Sequence, residues 1–282
     1  GRGGDIMKMY HARVGNYVGI DPSYENIYSA TDGALNRYNN LKNKYPDFTK
    51  MTFLHADGGA LLNAKEQAKS ISKMSKENEQ MIDKIFSKKN QFDVMNFSFT
   101  IHYLFGTKLT SNNLVENIKN NLKIGGFIII EIFDAKKVMN LLGDNNKYTS
   151  YYTDDDGKKV KFFEIVKKFD GPLENKPGQP IDVYMSWISD EGTYFEEYLV
   201  SHKLMIDTMK KAGCHMIDTA TFSTMYEINK EWFNNVINYE ENQKNKKFYK
   251  DVATFYDNLK GADKESKMYS FLNRYYIFKK IE

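Results

Sequence analysis

This sequence has little cysteine, little net charge and no long apolar run, and each shortage excludes a class of protein. Its single cysteine, Cys214, excludes a disulfide framework and a cysteine-rich zinc site and fits a reducing compartment. A formal net charge of +3 is too small to predict extended nucleic-acid binding by charge alone. Because no apolar run reaches membrane-spanning length, we expect no membrane partner. We also predict no metal site.

The composition is that of a globular protein with an excess of aromatic side chains. Hydrophobic residues make up 41% and charged residues 27% of the 282 positions, which suffices for one large domain or two small ones. Aromatic residues reach 15%, nearly all of them tyrosine and phenylalanine. Such side chains build cores, and they also form the flat surfaces on which nucleic-acid bases stack.

Residues 1–142 alternate short apolar strands with polar, helix-favouring segments, as in a doubly wound α/β sheet. Strands are predicted over residues 17–21, 51–55, 92–97 and 127–133. Helices are predicted over residues 24–45, with Ser23 as N-cap, over 60–86, and over 109–122, which Gly125 and Gly126 are expected to terminate. The apolar run 127–133 is typical of a strand covered on both faces.

Residues 143–282 have a different pattern, with hairpins first and a helical insertion later. Asp156-Gly157 between residues 148–153 and 160–166 is a strong two-residue hairpin signal. Three prolines, Pro172, Pro177 and Pro180, indicate a loop before a second hairpin-like pair, residues 183–189 and 193–200. A helix over 203–212, late strands over 216–222 and 274–278, and a helical insertion over 225–264 complete the prediction.

The glycine-rich segment Gly1-Arg2-Gly3-Gly4-Asp5 is followed by a predicted helix and then by a strand that ends at Asp21. This order is half of a nucleotide-binding βαβ unit, in which a carboxylate at the end of the second strand accepts hydrogen bonds from a ribose. The first strand of the unit is expected before Gly1, so we expect the chain to be a fragment of a longer protein. The alternative is a structural turn in which Asp5 caps a helix.

Two further strand ends carry candidate site residues. Asp57 precedes Gly58-Gly59 and is either a turn aspartate or a group near an adenine edge. The third strand is followed by residues 97–105, where His102 and Tyr103 are adjacent among aromatic side chains. A histidine and a tyrosine at the carboxyl end of a strand suit stacking and hydrogen bonding to a planar, polar ring. The alternative is a hydrophobic cluster under a loop.

Together these segments resemble the mRNA cap guanine-N7 methyltransferases of cells and viruses. Members of that family contain Gly-(Lys/Arg)-Gly-Gly-Asp and Phe-x-x-His-Tyr-(Ser)-Phe, and here the second motif is Phe99-Thr-Ile-His102-Tyr103-Leu-Phe105. The resemblance covers most of residues 1–142, including Leu122-Lys-Ile-Gly-Gly126, and returns at residues 195–200. It implies a class I methyltransferase fold, S-adenosylmethionine as cofactor, and methylation of guanine N7 in the GpppN cap of RNA.

The resemblance also implies roles for individual residues. Ser98 stands where the family often has a cofactor-contacting glutamine, and Phe133 where relatives often have a proline. A family tyrosine near the C-terminus has its substitute in Tyr276 or Tyr275. The implied cofactor-binding residues are Gly1, Gly3, Asp5, Asp21, Asp57 and Ser98, and the implied cap-guanine residues are Phe99, His102, Tyr103, Glu197 and Tyr276.

Methyl transfer to guanine N7 needs no general base, because N7 has a free lone pair and no proton. We therefore predict no acid–base catalytic residue, and expect alignment and electrostatics to accelerate the reaction. Glu197 suits the guanine N1–H and exocyclic amine, since a carboxylate accepts from both. The alternatives are a class I methyltransferase acting on another RNA or small-molecule acceptor, and a non-catalytic RNA-binding module with the same fold.

The lysine- and asparagine-rich composition resembles that of an AT-rich genome, such as that of a large DNA virus. In such viruses this domain ends a multifunctional capping protein. We therefore expect one methyltransferase domain, with residues 1–142 binding the cofactor and 143–282 the cap. The expected partners are 5′-capped RNA and upstream triphosphatase and guanylyltransferase domains of the same polypeptide. The expected location is the cytoplasm or virion for a viral protein and the nucleus for a cellular one.

Overall fold

The computed structural model describes residues 1–87, 91–257 and 259–282 and has a mixed α/β fold. The strands of this part of the chain are β1 (Asn16–Asp21), β2 (Lys50–His55), β3 (Phe92–Ser98), β4 (Leu122–Phe133), β5 (Lys147–Thr153), β6 (Lys159–Lys167), β7 (Pro180–Met185), β8 (Phe195–Tyr198), β9 (Cys214–Thr221) and β10 (Asn273–Lys280).

Most of the regions predicted to be helical are helical in the structure. Two predicted helices and one predicted helix end differ, as described below. They are α1 (Ile6–His11), α2 (Tyr24–Tyr28), α3 (Ala34–Lys44), α4 (Ala64–Ser70), α5 (Lys76–Ile85), α6 (Lys108–Asn121), α7 (Ala135–Leu142), α8 (His202–Lys211), α9 (Phe222–Ile237), α10 (Gln243–Ala253) and α11 (Gly261–Ser270). A 3₁₀ turn spans Ile101–Phe105.

The chain divides into two compact units. Unit 1 comprises residues 1–92 and 112–123, and unit 2 comprises residues 93–111 and 124–282. In unit 1, β1 and β2 run parallel, with Asn16 opposite Lys50 and Asp21 opposite His55. This pairing confirms the two predicted strands and the parallel arrangement that a βαβ unit requires. The carboxyl ends of both strands therefore lie at one edge of the pair.

The single helix predicted over residues 24–45 is wrong, because the structure has α2 and α3 separated by a turn. Ser23 caps α2 as predicted, accepting a hydrogen bond from the backbone N–H of Asn26 at 3.3 Å. Past α2, the Ser29 hydroxyl donates to the Asp32 carboxylate at 2.7 Å. Gly33 precedes α3 in extended conformation. Short polar side chains form local hydrogen bonds that compete with those of a helix. The periodicity of apolar residues does not reveal such a break.

The helix predicted over residues 60–86 is also interrupted, and the prediction is wrong for residues 71–75. Asn63 and Ser75 each cap a separate helix, accepting from the backbone N–H of Glu66 and of Asn78 at 3.0 and 3.1 Å. Between the two helices Lys73 has φ +59°, in the left-handed region. A second N-cap serine inside a polar segment is the signal of a second helix start.

Unit 2 contains two four-stranded sheets. One has the strand order β3-β4-β10-β9, with β10 antiparallel to both of its neighbours, and the other is the antiparallel series β5-β6-β7-β8. The hairpin predicted around Asp156-Gly157 is confirmed, with Gly157 at φ +78°, but its connection has five residues, 154–158, instead of the predicted two. The later strands and the helix that ends before Gly213 are confirmed as well. Pro180 is the first residue of β7 and does not lie in the predicted loop. Proline is tolerated at the first position of a strand.

The prediction that Gly125 and Gly126 terminate a helix is wrong, because both lie inside β4. Helix α6 ends at Asn121 and the strand begins at the next residue. The strand is not fully covered on both faces either. Ile128, Ile130 and Ile132 are buried, whereas Phe127 is 36% exposed. Because nearly all residues of this run are apolar, the sequence did not show that successive side chains point to opposite faces of the sheet.

The insertion predicted over residues 225–264 contains most of α9, all of α10 and the start of α11, with non-helical residues between them; position 258 lies outside the described residues. A hydrophobic core cluster of unit 2 includes Phe163 and Ile165 of β6 and Ile181 and Val183 of β7, all fully buried. Across the described ranges, no helix combines the length and apolar character needed to cross a membrane.

Gly33→Ala is expected to destabilise the protein, because a Cβ atom at Gly33 would lie 2.7 Å from the carbonyl oxygens of Ile27 and Ser29. Backbone atoms cannot yield as a side chain can, so the free energy of unfolding should fall by about 2 kcal/mol or more. Gly15→Ala is the matched control, since a Cβ there has no neighbour within 4 Å. Urea unfolding followed by circular dichroism measures both, and equal midpoints would contradict the prediction.

Candidate functional site

The glycine-rich segment of unit 1 forms a tight turn into α1. Gly3 has φ +76°, and a Cβ atom there would come within 2.6 Å of Ile6 Cδ1 and 3.2 Å of Ala34 Cα. Only glycine accommodates both the backbone conformation and this close approach. Asp5 occupies the N-cap position of α1, but its side chain pairs with Lys8 at 2.7 Å and makes no capping hydrogen bond.

Asp21, at the end of β1, faces this turn with one carboxylate oxygen. Its Oδ1 accepts from the backbone N–H of Ser23 at 2.8 Å and from Asn26 Nδ2 at 3.1 Å. Its Oδ2 lies beside the backbone nitrogen of Gly1. Two donors on Oδ1 fix the carboxylate plane, while Oδ2 is directed at the glycine segment. A carboxylate oxygen so placed fits the vicinal hydroxyls of a ribose, which would donate to it.

Asp57, past the end of β2, is held in a turn. Its Oδ1 accepts from the backbone N–H of Gly59 at 2.7 Å, and its Oδ2 accepts from the Ser70 hydroxyl. The backbone of Asp57 is bound on both sides by the buried Gln67 amide, at 2.7 and 2.8 Å. This is the geometry of a turn aspartate, and each carboxylate oxygen keeps a second lone pair for a ligand.

A strained residue marks the end of β3 in unit 2. Phe99 has φ +51°, which is uncommon for a bulky aromatic residue, and its N–H donates to the Glu131 carbonyl at 2.9 Å. Its ring is 47% exposed. The preceding Ser98 accepts a hydrogen bond from Asn96 Nδ2 at 3.1 Å. Backbone strain of this kind concentrates at functional sites, because the surrounding structure must support it.

The 3₁₀ turn that follows brings His102 against Glu197 of β8. His102 Nε2 and Glu197 Oε2 are 3.6 Å apart, and both side chains are less than a tenth exposed. His102 Nε2 is buried and has no hydrogen-bond partner among the described residues. The adjacent Tyr103 ring lies 4.1 Å from the His102 ring, and Tyr103 is 45% exposed. The structure therefore brings together three predicted cap-guanine residues.

Burial controls the charge of this pair. It lowers the pKa of His102 to about 3 and raises the pKa of Glu197 to about 7. Desolvation penalises the charged form of each group, so the imidazole is neutral at physiological pH and the carboxyl group ionises near neutrality. A neutral imidazole with an unpartnered nitrogen and a carboxyl group suit a neutral, planar ligand with both donors and acceptors.

A residue that the sequence did not single out, Tyr269 of α11, lies near this pair. Burial raises its pKa, and the charges of Glu197 and Tyr103 raise it further. Its ring contacts that of Trp187, with centroids 5.0 Å apart. Tyr276 lies elsewhere in unit 2, with its hydroxyl 3.0 Å from His202 Nδ1 and its ring stacked on that imidazole. Extending the search for a C-terminal tyrosine back from β10 into the preceding helix would have found Tyr269.

These features fit a Rossmann-like methyltransferase, with a glycine turn facing a strand-end carboxylate in unit 1 and a buried polar pair with exposed aromatic rings in unit 2. The chain belongs to the mRNA (guanine-N(7))-methyltransferase domain family, whose sequence model matches residues 1–281. The match confirms the predicted family, fold class and methyl donor, S-adenosylmethionine. The roles of individual residues stay predictions.

Individual relatives agree with the family match. The chain is 35% identical, over 291 aligned positions, to a probable mRNA-capping enzyme of Acanthamoeba polyphaga mimivirus, covering 99% of this chain and 25% of that protein. It is 27% identical over 142 positions to mRNA cap guanine-N(7) methyltransferase 1 of Arabidopsis thaliana, covering 50% and 33%. The chain thus spans a quarter to a third of the length of these relatives.

Among solved structures, a methyltransferase from Streptomyces caelestis aligns with a TM-score of 0.48 and 8% identity. The alignment covers 100% of this chain and 91% of that one.

Glu197→Gln is expected to stabilise the fold at alkaline pH. The folded state binds the Glu197 proton more tightly than the unfolded state, whose glutamate pKa is about 4.3. Ionisation therefore costs stability as the pH rises from about 4.5 to 7, and the cost is complete above pH 7. The amide removes this cost. The free energy of unfolding of the variant should therefore exceed that of wild type by about 3 kcal/mol at pH 8 and equal it at pH 4.

Chemical unfolding at the two pH values measures this difference. Glu196→Gln is the control, because the neighbouring carboxylate is exposed and accepts from the Tyr198 hydroxyl at the surface. A Glu197→Gln protein no more stable than wild type at pH 8 would show that the carboxylate is solvated in the folded state.

Proposed function

We propose that this chain transfers a methyl group from S-adenosylmethionine to N7 of the terminal guanine of 5′-capped RNA. The observation that carries the proposal is the buried His102–Glu197 pair, in which a histidine nitrogen has no partner among the described residues. Buried polar atoms are nearly always hydrogen-bonded, so an unpartnered one beside exposed aromatic rings suggests a ligand that completes it. The family match supports the same reaction and does not favour the alternative acceptors.

Guanine satisfies this pair through the edge that carries N1. The Glu197 carboxylate accepts from N1–H and from the exocyclic amine, and His102 donates from Nε2 to O6 when that nitrogen bears the proton. The half-exposed rings of Phe99 and Tyr103 supply faces for the purine. N7 lies outside this hydrogen-bonded edge, so its lone pair stays free to attack.

For the cofactor we propose Gly1, Gly3, Asp5, Asp21, Asp57 and Ser98. Asp21 Oδ2 would accept from the ribose hydroxyls, and the turn at Gly3 lets backbone approach the ligand. S-adenosylmethionine supplies an electrophilic methyl group when bound. The protein has no proton to remove from N7, so it contributes alignment and electrostatics. An ionised Glu197 favours the positive charge that develops on the guanine.

The rest of the polypeptide is part of the proposal, since the chain spans only 25% of the mimivirus relative's length. We propose that the chain is the methyltransferase domain of a capping protein, with triphosphatase and guanylyltransferase domains upstream. Within the chain, residues 1–142 would bind the cofactor and residues 143–282 the cap.

The direct test of the function is incubation with radiolabelled S-adenosylmethionine and either GpppA-capped or ApppA-capped RNA. Label should enter only the GpppA-capped RNA, and mass spectrometry of the released cap should give 7-methylguanosine. Label at a ribose, at an internal base, or equally on both RNAs would overturn the proposal.

Asp21→Ala is expected to weaken S-adenosylmethionine binding, because the ribose hydroxyls would lose a charged acceptor. Loss of such an interaction costs about 2–4 kcal/mol, or roughly 30- to 1000-fold in Kd. Isothermal titration calorimetry measures the change. Asp47→Ala, at an exposed carboxylate of unit 1, should bind as wild type does, and thermal melting reports whether Asp21→Ala remains folded. Unchanged affinity in the folded variant would remove Asp21 from the cofactor site.

Cap binding is expected to change the fluorescence of Trp187, which is 49% exposed and contacts Tyr269 near Glu197. The sequence has two tryptophans, Trp187 and Trp232. Trp232→Phe therefore isolates the signal of Trp187, and Trp187→Phe isolates that of Trp232 on α9. Titration with GpppA should quench the fluorescence of the first variant, because a base bound beside Trp187 stacks on aromatic rings, and leave that of the second unchanged. The opposite pattern would place the cap away from Tyr269.

A further inference from the structure

A cavity of about 720 Å³ lies in unit 2 between α7 and α11. Helix α7 contributes Lys137, Asn140 and Leu141 to its lining, and α11 contributes Lys264, Lys267 and Met268. Neither the fold nor the proposed methyl transfer accounts for it. Its volume is in the range of sites that bind small molecules.

The sequence pattern explains why two helices present the same kind of surface. Residues 137, 140 and 141 of α7 have the i, i+3, i+4 spacing of one helix face, and residues 264, 267 and 268 of α11 repeat it. Each face combines a lysine at its first position with an apolar side chain at its third. The other face of α7, formed by Ala135, Val138 and Leu142, is buried in the core.

Two of the three lysines that line the cavity contact neutral groups. Lys137 Nζ donates to the Ser223 hydroxyl at 2.8 Å and to the Phe271 carbonyl at 2.9 Å. Lys267 Nζ donates to the Tyr256 carbonyl at 3.4 Å and lies 5.4 Å from the Phe271 ring centroid. No aspartate or glutamate belongs to the described lining. Uncompensated ammonium groups in a recess attract anions.

The remaining lining is apolar and aromatic. Tyr256 and Phe271 contribute rings, whose centroids lie 5.4 Å apart, and Leu141 and Met268 contribute aliphatic surface. A small inorganic anion would leave this surface unused. A ligand that matches both features carries a negative charge and a flat ring whose faces pack on apolar groups, which is the chemistry of a nucleotide.

We propose that the cavity between α7 and α11 is a nucleotide-binding site, in which lysines 137, 264 and 267 bind phosphate and the aromatic and aliphatic lining receives the base. The nucleotide has two possible sources, the RNA chain beyond the cap or a free mononucleotide. The first source rests on the proposed function, because it makes the cavity a subsite for the body of the capped RNA.

The test measures binding of an uncapped, 3′-fluorescein-labelled 12-nucleotide RNA by anisotropy and binding of AMP by calorimetry. Lys264→Glu reverses one charge, and Asn140→Trp fills the cavity from an exposed position. The matched control is Lys136→Glu, an exposed lysine of α7 outside the lining. Thermal melting verifies that all variants are folded, and methylation of GpppA is measured on each.

We expect Lys264→Glu and Asn140→Trp to raise the Kd for one of the two ligands at least fivefold. The Kd of Lys136→Glu should stay within twofold of the wild-type value. Weaker RNA binding in the cavity variants, together with no competition by AMP, identifies the RNA chain as the source. The slope of log K against log salt concentration should then be smaller in magnitude by about 0.7 for Lys264→Glu than for wild type. Weakened AMP binding identifies a free mononucleotide. In either case kcat/KM for GpppA should stay within twofold.

The results distinguish failure of the cavity proposal from failure of the proposed function. If wild type binds neither ligand, or if both cavity variants bind both ligands as the control does, the cavity proposal is overturned. If wild type binds RNA at the cavity but fails to methylate GpppA, the proposed function is overturned and the nucleotide site remains.

Discussion

Desolvation of the His102–Glu197 pair is the constraint on which the candidate cap pocket depends. Two titratable groups lie 3.6 Å apart with almost no solvent access, and burial shifts the pKa of each toward its neutral form. Such a pair costs stability, because neither group is compensated by an ion pair at neutral pH. The surrounding structure must hold both groups in place, and the favourable energy must come from the core.

That core includes residues on the same face of the sheet as Glu197. Glu197 is opposite Ile181 in the β7–β8 ladder, and Ile181 is fully buried with Phe163, Ile165 and Val183. The 3₁₀ turn that bears His102 approaches β8 closely, since a Cβ atom on Gly106 would lie 2.9 Å from the Tyr198 ring. Apolar burial on this face of the sheet thus offsets the cost of the polar pair.

Unit 2 uses two opposite electrostatic arrangements. At the His102–Glu197 pair, both groups are driven toward neutrality, which suits the hydrogen-bonding edge of a neutral base. At the cavity between α7 and α11, hydroxyl, carbonyl and aromatic groups contact Lys137 and Lys267, and no carboxylate belongs to the described lining. Helix α11 serves both places, with Tyr269 toward Glu197 and Lys264 and Lys267 toward the cavity.

The sequence by itself determined the features that local geometry controls. The spacing from the glycine segment to Asp21, the hairpin at Gly157 and the helix stop at Gly213 follow from backbone conformation, and the structure has them. The breaks inside residues 24–45 and 60–86 were missed because turn and cap side chains compete with apolar periodicity. Only the tertiary structure brought Glu197 to His102 across 95 positions and put Tyr269, instead of Tyr276, beside them. Burial, and therefore pKa, depends on which distant segments exclude water, and no local pattern encodes that.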